Sequence, residues 1–200
     1  DVLIKIDNKF YNKNINLVNF IKDTFKPSEI YNNGGVISFD YDNFQIDFIP
    51  VKESNWDFSN KWFAYDPFSN ICGKISHHFG LKFGFGGLIY PFRNFNGRLS
   101  TDIIISKDHK KTLEFFGFNY NRYLEGFETL HDIFNYILSS EYFDSSIFQF
   151  ENLNQIDKKR NKKRKNYNQF IKFINDNGIN QKYNFKRKED YIININNLFL

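Results

Sequence analysis

The alternation of apolar residues on either side of Asp42-Asn43 constrains this chain more than any other feature. If those two residues form a two-residue turn, Tyr41 pairs with Phe44, Phe39 with Ile46 and Ile37 with Phe48 in a β-hairpin from Val36 to Val51. Strand side chains alternate between faces, so these residues share one face, and a face wholly aromatic or aliphatic has to be core. The other face carries Ser38 beside Asp47, Asp40 beside Gln45 and Val36 beside Ile49. Asp47 is thereby raised on the open side of a sheet, among apolar neighbours. An ionised carboxylate there is costly unless it meets a cation or a metal ion, and a solvated strand aspartate satisfies the same spacing.

The 200 residues, 41% hydrophobic, suffice for one ample core or two small ones. Aromatic residues make up 20% of the chain and Met is absent, which we read partly as AT-rich coding bias, so any single Phe is first of all interior filling. Val2 to Ile6 already reads as a strand after Asp1, and we expect the sequence to start inside a domain. Cys72 is the one cysteine, which excludes an internal disulfide and cysteine-cluster zinc sites. No stretch approaches the roughly 20 apolar residues that span a bilayer, so we expect no membrane association and an intracellular, cytoplasmic location.

The net charge of +4, from 27 Lys and Arg against 23 Asp and Glu, is unevenly spread. Seven cations crowd into Lys158, Lys159, Arg160, Lys162, Lys163, Arg164 and Lys165, interrupted only by Asn161. Such a run can neutralise phosphates and steer a polyanion; a solvated helix face or a loop has the same composition.

Along the chain, Leu17, Phe20, Ile21 and Phe25 recur at helical spacing, predicting a helix from about Asn14 to Thr24, and Asn32-Asn33-Gly34-Gly35 reads as a loop feeding the hairpin. A helical or irregular stretch follows around Trp56 to Trp62. Asp66-Pro67 predicts an N-cap and first-turn proline for a helix reaching Phe79, with Phe68, Ile71, Cys72, Ile75 and Phe79 as its buried stripe and Gly80 after its C-cap. Its polar side carries Asn70, Lys74 and His77; Lys74 is a candidate for binding an anionic ligand such as a nucleotide, or a solvated lysine. His77 and His78 near the helix C-terminus need no metal. The glycines from Gly80 to Gly87 match neither a Walker A loop nor a dinucleotide fingerprint; they suggest a bent strand pairing, through the Arg93 to Arg98 loop, with Leu99 to Ser106. Beyond Lys107 we expect a short helix ending at Gly117, a longer one started by a Thr129/Asp132 capping box, and an amphipathic one carrying Tyr167, Phe170, Ile171 and Ile174 and stopped at Asn177-Gly178.

In order and residues the chain resembles the nucleotidyltransferase superfamily related to DNA polymerase β, in particular uncharacterised members carried by phages and large DNA viruses. The resemblance is carried by Asp1-Val2-Leu3-Ile4, similar to the second carboxylate and its strand, and by Gln45-Ile46-Asp47-Phe48-Ile49, similar to the strand with the third. It continues through Asn70 to Ile75, Gly80 to Gly84, Leu113 to Gly117, Gly126-Phe127 and Lys163 to Tyr167. The Gly-Ser turn and the first acidic residue of that pattern, expected two positions before Asp1, are absent from the sequence.

The resemblance implies an α+β chain: a small mixed β-sheet nucleotidyltransferase-like core over residues 1–65, truncated at its N-terminus, then a mainly helical region over 66–200 with a hairpin at 81–106. It implies a metal-dependent transfer of NMP from an NTP to a hydroxyl, on an RNA 3′ end, a protein or a small molecule, with Asp1 and Asp47 as the catalytic and metal-binding residues and Mg²⁺ (or Mn²⁺) as the cofactor. Asp40, on the same hairpin face, is a substitute or supporting group. A second reading keeps the scaffold without catalysis and uses Lys158 to Lys165 to bind RNA or another polyanion. A third takes Asp40-Tyr41-Asp42 as the metal motif of a glycosyltransferase. Oligomeric state stays open.

Overall fold

The computed structural model describes residues 1–7, 17–33, 35–93 and 99–191. Its class is α+β, and the chain divides into two compact units, Asp1–Asn60 and Lys61–Leu200, a boundary a few residues before the one expected after residue 65.

The first unit is a four-stranded mixed sheet in the order β1-β4-β3-β2, with β1 Val2–Ile6, β2 Ile30–Asn33, β3 Val36–Tyr41 and β4 Phe44–Lys52. The hairpin has the expected register: Tyr41 opposite Phe44, Phe39 opposite Ile46, Ser38 opposite Asp47 and Ile37 opposite Phe48. Asp42 and Asn43 both take left-handed backbone, with φ of 49° and 64°, the handedness that lets a two-residue turn match the twist of its strands. Helix α1, Leu17–Phe25, packs Leu17, Val18, Ile21 and Phe25 on the face carrying Ile37, Phe39, Ile46 and Phe48. Phe25 meets the rings of Phe39, Tyr41 and Phe48 at 5.2 to 5.8 Å between centroids. The first residues expected for that helix, from Asn14, lie outside the described residues. The loop expected at Asn32-Asn33 is instead the end of β2, paired with Ile37 and Val36; two strand-averse asparagines are held there by the ladder.

Helix α2, Trp56–Phe63, lies across the division. In the second unit, α3, Phe68–His78, buries Phe68, Ile71, Cys72 and Ile75 fully, as its spacing requires, and Gly80 follows the C-cap with φ 77°. Burial pushes the Cys72 thiol pKa well up, so it acts as a small apolar group. The start of α3 corrects the sequence reading. Pro67 itself is the N-cap, and the Asp66 carboxylate accepts from Asn166 Nδ2 at 3.0 Å instead of capping the helix.

The glycine-punctuated segment becomes an antiparallel sheet of β5 Lys82–Gly84, β6 Gly87–Arg93 and β7 Leu99–Ser106, one strand more than the predicted hairpin. Gly87 cannot be replaced without movement: its φ is 133° and an added Cβ would lie 2.5 Å from the Ser106 carbonyl oxygen. The loop expected between β6 and β7, residues 94–98, lies outside the described residues.

Helices α4 His109–Phe115, α5 Tyr120–Leu124, α6 Leu130–Leu138, α7 Gln155–Asn161 and α8 Lys165–Asp176 complete the unit. The Thr129/Asp132 capping box forms in both directions at the start of α6. Phenylalanine fills this interior: Phe68 touches Phe118, Tyr123 and Tyr136, and Phe134, Phe143 and Phe148 gather around Phe170. Each such ring contributes roughly 1.5–3 kcal/mol by leaving water. The tyrosines that join them place their hydroxyls on carbonyls, Tyr123 on Lys61, Tyr136 on Asn119 and Tyr167 on Phe148.

Candidate functional site

The strands next to the two predicted carboxylates are neighbours through a pairing that the sequence does not announce. Strand β1 runs parallel to β4 with Val2 beside Phe48 and Leu3 beside Ile49. The ladder begins at Val2; continued by one residue at the same register, it would bring Asp1 next to Asp47, at the roughly 4.8 Å spacing of neighbouring strands. Asp47 lies on the face turned away from α1. Along β4 it passes from exposed Gln45 through half-buried Asp47 to buried Ile49 and Val51, so Asp47 stands where solvent meets apolar surface.

Gln45 Nε2 donates to Asp47 Oδ1 at 3.0 Å. That bond, then one from Ser38, holds the Asp47 carboxyl below the usual carboxylate range against a partial burial that works the other way, and the Asp1 amino group adds to the lowering. Asp47 has no Lys, Arg or His side chain paired with it among the described residues. Lys5, on the same face, is tied to Glu53 at 3.0 Å.

Asp40 has a different task. Its carboxylate accepts from Ser28 Oγ at 2.8 Å and from the Glu29 amide at 2.6 Å, which pins the loop entering β2, and these bonds lower its pKa. With Asp42 in the turn, the Asp40-Tyr41-Asp42 triplet has structural duties at both ends. Among the described residues no three His, Cys, Asp or Glu side chains gather where one ion could be held. Asp1 and Asp47 are hard oxygen donors of the kind Mg²⁺ or Mn²⁺ prefers, and supply two of the three carboxylates that the resemblance implies.

Lys74 and the basic run belong to the second unit. Lys74, expected to reach an anionic ligand, donates instead to Asp157 Oδ2 at 2.5 Å, and the two side chains are only 11% and 19% exposed. Burial works to raise the Asp157 pKa, but the hydrogen bond and charge of Lys74 outweigh it and the carboxyl stays low. The same carboxylate accepts from Asn154 Nδ2 at 3.0 Å, while Asn154 Oδ1 caps α7 by accepting from the Asp157 amide. Lys74 therefore fastens α7 to α3.

On that fastened helix, Lys158, Lys159 and Arg160 are followed by Asn161, which is 1% exposed, and then by Lys162, Lys163, Arg164 and Lys165. The neutral interruption in the run is the residue that faces the core. Six of the seven cations are exposed and Lys158 is half-buried, and none has an acidic partner among the described residues. Arg164 and Lys165 also border a cavity of about 270 Å³ with Asn70, Ile71 and Tyr167. Sequence reasoning missed α7; the Asn154-x-x-Asp157 cap was the available signal.

Set against protein-family models, curated proteins and solved structures, the chain matches none of them.

Proposed function

We propose that this chain carries part of a nucleotidyltransferase site, in which an acceptor hydroxyl oxygen bonds to the α-phosphorus of an NTP, the bond from that phosphorus to pyrophosphate breaks, and the hydroxyl proton is released. The observation that supports this reading is the parallel register of β1 on β4, which continued one residue beyond Val2 would bring Asp1 next to Asp47, and no Lys, Arg or His side chain is paired with Asp47 among the described residues. Two adjacent carboxylates repel, and a divalent cation removes the conflict. When bound by Asp1 and Asp47, Mg²⁺ or Mn²⁺ would offset phosphate charge and make the acceptor hydroxyl more acidic. Asp47, kept ionised by Gln45 and Ser38, is suited to accept a hydrogen bond from that hydroxyl, and the Gln45 contact fixes which carboxylate oxygen is turned away.

The test is NMP incorporation from labelled NTPs into RNA, protein or small-molecule acceptors by the full-length protein. Asp47→Asn should abolish Mg²⁺-dependent incorporation while leaving the melting temperature unchanged; turnover like that of the wild type would refute the assignment. A second reading, a non-catalytic nucleic-acid-binding protein, is favoured by the cations of 158–165, which have no acidic partner among the described residues. Neutralising them would then remove binding and flatten its salt dependence, with Asp47→Asn without effect.

A further inference from the structure

The 3₁₀ turn Phe150–Asn152 lies just before α7. Its first residue, Phe150, keeps 37% of its surface open, unlike most rings of this unit. The Nζ atoms of Lys158 and Lys162 lie 5.8 and 5.9 Å from the centroid of the Phe150 ring. The turn is held firmly: Asn152 Nδ2 donates to the Ser146 carbonyl at 2.8 Å, the Leu153 amide to the Phe150 carbonyl at 3.2 Å, and Leu153 is buried. An open aromatic ring is thus fixed beside two ammonium groups that have no carboxylate partner among the described residues.

We propose that Phe150, Lys158 and Lys162 form a contact for single-stranded nucleic acid, one base stacking on the Phe150 ring while the flanking phosphates take the two ammonium groups. The proposal rests on the reading that the basic run contacts nucleic acid, and it adds the form of strand recognised. The charge is complementary to a polyanion. A duplex could use the charge but not the ring, because its bases are stacked on one another; a single strand uses both. A cation already drawn to the ring face moves to a phosphate at little cost, since an exposed cation–π contact is weak.

The test is fluorescence anisotropy with the whole chain, a labelled 12-nucleotide oligouridylate and a 12-base-pair RNA duplex, at several salt concentrations. The single strand should bind more tightly than the duplex. Phe150→Leu, which keeps apolar bulk and removes the π face, should weaken single-strand binding by roughly five- to a hundred-fold without changing the salt slope, and Phe150→Tyr should restore it. Lys158→Gln with Lys162→Gln should reduce the slope of log K against log salt by about 1.4. Equal affinity for strand and duplex, with Phe150→Leu silent, overturns the stacking contact while leaving the polyanion reading standing. Binding to neither RNA, or only to anionic phospholipid vesicles, overturns both.

Discussion

The two units handle charge in opposite ways. In the first, Asp47 has no basic side chain paired with it among the described residues, and Lys5, on the same face, is committed to Glu53. In the second, Lys74 and Asp157 cancel one another at the joint of α3 and α7. A sequence treats Asp47 and Lys74 alike, as single charged residues among apolar ones. The fold separates them: one charge is closed inside the architecture and the other is left open. The cations beyond Asp157 have no acidic partner among the described residues, and the first three of them, Lys158, Lys159 and Arg160, stand on the helix that the closed pair holds in place.

The comparison is sharpened most by breaking the closed pair. Asp157→Ala strands the Lys74 ammonium in a largely dry position and should cost roughly 3 kcal/mol in urea unfolding, whereas Lys74→Met with Asp157→Leu should recover most of it. If the single variant is neutral, Lys74 and Asp157 are not the joint described here. Acid should dissolve the same joint. Because the folded carboxyl of Asp157 titrates below its unfolded value, its stabilisation is present above about pH 4 and is lost as pH falls through the lower, folded value. The stability gap between wild type and Asp157→Asn should therefore close in denaturation curves taken from pH 7 down to pH 2.5.

A smaller effect is expected at the cap of α6, where Thr129→Ala removes one half of the capping box and should lower stability by about 1 kcal/mol. Smallest of all is the effect of removing open charges. Lys159→Gln with Lys163→Gln should leave thermal stability within about 0.5 kcal/mol, or raise it slightly by relieving like-charge repulsion. A clear loss of stability would mean that these cations have a structural partner and are not open.

Legibility followed the range of the interaction. The hairpin register, the Thr129/Asp132 box and the buried stripe of α3 are written in residues a few positions apart, and each stands where the spacing put it. Strands β2 and β5 and helices α5 and α7 escaped because they are short or polar, and tertiary pairing sustains them against weak local preference. Asp66 looked like a helix cap and was drawn away by Asn166, a hundred residues on. The Lys74–Asp157 pair spans 83 residues, a separation no periodicity encodes. Asp47 was found from its own strand, but the strand beside it is set by a parallel ladder between β1 and β4; the resemblance placed the two strands in one sheet and no more.

That ladder works as a vernier. Sliding β1 by a single residue against β4 would swing Asp1 through to the underside of the sheet, beneath α1, and a slide of two would restore its side but carry it about 7 Å from Asp47. An extra residue spliced between Asp1 and Val2 should separate the two carboxylates with every other residue of the protein left in place.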